Sequence, residues 1–87
     1  MAKLPRMPEF ERMMLYRTAR TLARLTVREL AAEADVSTAT ITKLENGKEL
    51  KPATLTKIRS VLEKKGVEFV PHKTWDEWVQ PRLEGDA

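Results

Sequence analysis

Apolar positions recur at helical spacing through the first three-quarters of the chain, then give way to a shorter β-prone run. From Glu9 to about Arg24 there is neither Gly nor Pro, and Leu15, Ala19, Leu22 and Ala23 follow an i, i+4, i+7, i+8 rhythm. That spacing predicts a first helix. Phe10, Met13 and Met14 precede it at i, i+3, i+4 and cover an adjacent stripe. Thr26, with Glu29 three residues later, forms a capping-box signature for a second helix, VRELAAEA. Asp35, Val36 and Ser37 interrupt, and Ser37 caps a third helix running to about Glu45. Asn46–Gly47 is a stop signal, and Pro52 suits the first position of a fourth helix carrying Leu55, Ile58, Val61 and Leu62. Lys64, Lys65 and Gly66 make its expected ending. VEFV then reads as a short strand ended by Pro71, TWDEWV as one or two helical turns, and the residues after Pro81 as frayed. The chain therefore divides into an irregular arm (1–8), a helical domain (9–66) and a C-terminal extension (67–87).

The second and third helices are only about eight residues each, too short to stand alone in water. They must be held by each other and by their neighbours. Leu30, Ala34, Val36, Ile41 and Leu44 converge if the two helices cross near a right angle, and Ala31 and Ala34 let the backbones approach. The outward face of the third helix then carries Thr38, Ala39, Thr42 and Lys43. Short polar or cationic side chains on an unpartnered helix face suit entry into a DNA major groove about 12 Å wide.

Composition narrows the function. An apolar share of 41% with five aromatic residues supports one mostly aliphatic core. There is no cysteine and only one histidine, His72, which argues against disulfides, a Cys or His metal site and a Ser/His/Asp triad. No phosphate loop and no nucleophile with a base are present, so neither an enzyme nor a cofactor is expected. No apolar run approaches a membrane span, and MAKLPRMPEFER lacks the apolar core of a signal peptide, so a cytoplasmic protein is expected. Charge is unevenly placed: residues 1–66 carry a net +6 and residues 67–87 a net −3. A basic body with an acidic tail suits a polyanion on one face, although ordinary solvated charge gives the same sum.

With these residues in order, the stretch LTVRELAAEADVSTATITKLENG followed by a Pro52-led helix resembles the helix-turn-helix of phage repressor and Cro proteins, the XRE-type regulators. The resemblance spans roughly residues 10–66. It implies an all-α, lambda-repressor-like bundle of four or five helices with the third as recognition helix. The short extension, a strand and a short helix, adds to that bundle. In this setting Lys43 reads bases, with Thr38, Ala39 and Thr42 beside it. Ser37 and Thr40 bind phosphate, Ser37 also capping its helix. Asn46 and Lys48 bind phosphate after the recognition helix, and Lys51 lies near the minor groove. The N-terminus of the fourth helix, around Ala53 and Thr54, offers N–H groups to a phosphate. Arg28 and Lys57 are further candidate contacts. Arg20 and Glu45 match a structural ion pair between helix one and the recognition helix, not DNA ligands.

Two positions depart from that family. Val27 stands where Gln usually binds the DNA backbone, so that contact is lost or moves to Thr26 or Arg28. Asp35 stands where the turn usually has Gly, and Asp tolerates the left-handed conformation better than most residues.

The resemblance implies a repressor that binds a pseudo-palindromic operator on double-stranded DNA as a homodimer. An alternative is an antitoxin or adaptor whose acidic, Trp-bearing extension binds a partner protein. Trp75 and Trp78, three residues apart, share a face if TWDEWV is helical, and are expected to pack on the body or on a partner subunit.

Overall fold

The computed structural model describes residues 7–83. Four helices and two strands follow in the order α1 (Met7–Leu22), α2 (Val27–Ala34), α3 (Thr38–Glu45), α4 (Pro52–Lys64), β1 (Val67–Pro71) and β2 (Glu77–Pro81). The helices match the spacing in the sequence closely, but α1 begins at Met7, inside the segment expected to be an irregular arm. Residues 1–6 of that arm and 84–87 of the expected frayed end lie outside the described residues.

The helix ends are set locally. Thr26 accepts a hydrogen bond from the Glu29 N–H while the Glu29 carboxylate accepts one from the Thr26 N–H, closing the capping box of α2. Ser37 accepts the Thr40 N–H at the start of α3. Helices α1, α2 and α3 all end in paired i+5 and i+3 backbone bonds around a left-handed residue. These residues are Arg24 (φ 59°), Asp35 (φ 57°) and Gly47 (φ 88°). Asp35 therefore takes the left-handed turn position expected of it.

Leu15, Tyr16 and Ala19 of α1, Leu30, Ala31 and Ala34 of α2, Ile41 and Leu44 of α3, and Ile58, Val61 and Leu62 of α4 make a continuous core. Val36 is half-buried against it, and Tyr16 is a core residue that the apolar rhythm did not include.

The extension corrects the expected all-α class. β1 and β2 pair antiparallel, with Phe69 opposite Val79 and Val70 opposite Trp78. The segment expected to be a short helix is a bend at Thr74–Asp76 followed by the first three residues of β2. A lone β1 would leave a row of backbone N–H and C=O groups unpaired, and β2 satisfies them. Prolines end both strands, at Pro71 and Pro81, as edge strands tolerate. Val67 and Val79 face inward and join the core at 1% and 4% exposure, so the extension completes the helical body and does not trail from it.

Candidate nucleic-acid interface

The joint between α2 and α3 fixes which face of α3 is free. Ile41, Leu44 and Glu45 are buried, whereas Thr38, Ala39, Thr42 and Lys43 are exposed. At 100° per residue these four exposed positions, followed by exposed Asn46, form one stripe opposite the core. Lys43 has no ion-pair partner among the described residues. A helix face of this kind, with one cation and short polar neighbours, suits a polar, anionic surface.

Backbone donors border the stripe. The first N–H groups of α3, at Thr38 and Ala39, have no intrahelical acceptor. The Ser37 and Thr40 hydroxyls lie 2.9 Å apart, so one donates to the other and a single proton of the pair remains for an anion. Thr40 is half-buried, unlike exposed Ser37. At the start of α4, Lys51 is exposed and makes no side-chain cap, and Pro52 at the first position leaves the N–H groups of Ala53 and Thr54 outward-free. Lys48 is exposed after the α3 stop, Thr54 is half-buried, and Arg28 and Lys57 are exposed without an ion pair among the described residues.

The far end of α3 is held by a row of arginines from α1. Arg20 makes a two-pronged ion pair with buried Glu45, Nε to Oε2 at 2.6 Å and Nη2 to Oε1 at 2.9 Å, and Nη1 donates to the Leu25 carbonyl. The hydrogen bond to Glu45 holds the Arg20 guanidinium firmly protonated, above its ordinary range. Arg17 donates from Nε to the Glu45 carbonyl at 2.8 Å and from Nη2 to Asn46 Oδ1 at 3.2 Å. Arg12 donates to the Gly47 carbonyl. These contacts satisfy carbonyls that α3 leaves open at its C-terminus and complement its negative end. Arg20 and Glu45 are thus bound to each other and turned from the exposed stripe. Asn46 keeps its amide N–H groups as donors, its oxygen being held by Arg17.

Arg12 and Arg17 were not among the residues singled out from sequence. Three arginines on one face of α1 were visible there, but only the packing of α1 across α3 shows what they reach.

Thr26 is less available than the sequence suggested. Its N–H and hydroxyl oxygen are both engaged in the capping box, and the Glu29 carboxylate lies on the same turn. Val27, half-buried, brings no donor to the site.

Among the described residues, no helix is long and apolar enough to cross a membrane, and no three His, Cys, Asp or Glu side chains gather as metal ligands. A family profile described as helix-turn-helix matches residues 17–69, which cover the last six residues of α1, all of α2, α3 and α4, and the start of β1. No curated protein matches the chain.

Proposed function

The chain belongs to the XRE-type helix-turn-helix family, and from that premise we propose a non-enzymatic, cytoplasmic repressor that binds a pseudo-palindromic operator as a homodimer. The observation that carries this reading is the exposed stripe Thr38, Ala39, Thr42 and Lys43, flanked by the open N-terminal donors of α3 and α4. Stripe and donors match the division of labour at DNA, where base edges specify and phosphates position.

Lys43 is the one long donor on the stripe. Thr38 and Thr42 offer short hydroxyls and Ala39 a methyl, so the ammonium of Lys43 reaches furthest toward guanine O6 and N7. Each half-site is expected to contain a guanine read by Lys43. Selection of duplexes from a random pool gives the site. Lys43→Ala then costs about 1–3 kcal/mol on that site and relaxes preference at one base pair. Lys48→Ala weakens every sequence alike, because a phosphate contact carries no base information. Equal losses across all single-base variants for Lys43→Ala would make Lys43 a phosphate anchor and sink this assignment.

A second reading, an adaptor or antitoxin, is favoured by one observation. Trp75 and Trp78 meet edge-to-face at 5.1 Å on the acidic hairpin, with half-buried rings, and could seat a partner protein instead of a second copy. The oligomeric state of the chain alone separates the two.

A further inference from the structure

We propose that Arg17 binds a DNA-backbone phosphate in the cleft between α1, α2 and α3, beside the base-reading stripe; the proposal rests on the DNA-binding reading above. The cleft is lined by Arg17, Arg20, Thr21, Val27, Thr42 and Asn46, with Glu45 beneath. Thr42 belongs both to this cleft and to the exposed stripe of α3. A duplex that takes the stripe into its major groove therefore sets one backbone strand along the cleft, as when the helix before a recognition helix crosses the backbone.

Of the two guanidinium groups in the cleft, only one has capacity left. Arg20 is spent on both oxygens of Glu45 and on the Leu25 carbonyl. Arg17 is exposed, faces no carboxylate within ion-pair distance among the described residues, and uses one N–H on the Glu45 carbonyl and one on Asn46 Oδ1. A guanidinium has five N–H donors, so most of its fork is open. The same two bonds fix its position, so little side-chain entropy is lost when an anion arrives. The Asn46 amide, turned with its oxygen to Arg17, and the Thr42 hydroxyl add neutral donors beside it.

Among the residues that line the cleft, Arg17 is the one cation with donors to spare. Val27 has no donor, the cap of α2 leaves Thr26 only its hydroxyl proton, and the Glu29 carboxylate repels an anion from the N-terminus of α2. The one acid in the cleft, Glu45, is neutralised by Arg20.

The test is the salt dependence of binding to the duplex selected from a random pool, measured for the parent chain, Arg17→Gln and Arg17→Lys, with a thermal melt of each. Arg17→Gln keeps a donor for the Glu45 carbonyl but loses the charge. It is expected to flatten the slope of log affinity against log salt by about 0.9, one phosphate's worth, and to weaken binding about tenfold at low salt. Arg17→Lys keeps the charge and loses the fork, and its slope should stay with the parent. If Arg17→Gln leaves the slope unchanged, or Lys loses as much slope as Gln, Arg17 is only a brace for α3 and the proposal falls. If the parent chain itself shows no salt-dependent binding, the DNA-binding reading falls with it.

Discussion

Gly47 meets two demands that no other residue can meet together. It takes a left-handed φ of 88° at the end of α3, and a Cβ there would stand 2.6 Å from the backbone oxygen of Glu9. Arg24 and Asp35 take similar left-handed angles, 59° and 57°, and tolerate them with ordinary side chains because both are exposed. The conformation costs roughly 1–2 kcal/mol for an L-residue. At Gly47 the contact is with backbone, which cannot swing aside, so a shift of α1 against α3 is added. Gly47→Ala is expected to destabilise the fold by at least about 2 kcal/mol, read by urea denaturation. A loss no larger than the left-handed conformation alone explains would show that α1 and α3 separate without cost. Asn46–Gly47 was legible in the sequence as a stop, but the approach of Glu9 was not, because it depends on a residue 38 positions earlier.

Arg59 is the side chain that makes the most contacts between the helices and the hairpin. Arg59 of α4 makes a two-pronged pair with Glu77 of β2, at 2.7 and 2.9 Å. It also donates to the Tyr16 hydroxyl at 2.9 Å and lies 3.9 Å over the Phe69 ring. Burial, outweighing the pull of neighbouring Arg59, pushes the Tyr16 phenol above its ordinary value near 10. The neutral phenol is thus the form that the fold favours. Its contribution is fully present below the unfolded pKa and is lost as pH rises through the folded one. Stability should therefore fall above about pH 10. Tyr16→Phe, which cannot ionise, should melt at a lower temperature at neutral pH, by about 0.5–1.5 kcal/mol for the lost hydrogen bond. It should also lose the part of the alkaline decline that Tyr16 supplies. Parallel parent and mutant curves through that range would refute the assignment. None of this latch was readable from periodicity: TWDEWV has helical Trp spacing, and only pairing with β1 makes it a strand.

At the scale of the whole molecule, the hairpin is both part of the core and a candidate subunit surface. Val67, Phe69 and Val79 face the helices. By alternation Val70 and Trp78 lie on the other side of the ladder, yet Trp78 is half-buried against the edge of the core, where it meets Trp75, and Trp75 meets Phe10 of α1 at 5.9 Å. Cutting the chain after Gly66 would expose the cavity left by two buried valines, roughly 3–6 kcal/mol together, against a whole-domain stability of about 5–15 kcal/mol. Truncation is thus expected to abolish a cooperative melt and cannot report on dimerisation. Trp78→Ser removes the half-buried ring while leaving Val67 and Val79 in place. For the proposed homodimer it should give a monomer with helical circular dichroism retained, as read by sedimentation. A dimer that survives Trp78→Ser would place the subunit contact elsewhere.

The sequence by itself determined the helices, their caps and the recognition stripe. Each of these is fixed by residues within a few positions of one another: Thr26 with Glu29, Ser37 with Thr40, and Ile41 and Leu44 against Thr38, Thr42 and Lys43. Tertiary structure decided what depends on distant partners. The strand pairing of residues 67–81, the burial of Tyr16, and the hold of Arg12, Arg17 and Arg20 on the end of α3 join residues 6 to 43 positions apart. Local spacing can state which face of a helix is apolar. It cannot state which donor reaches an open carbonyl on another helix, because that is settled only when the core closes and brings the two within hydrogen-bond distance.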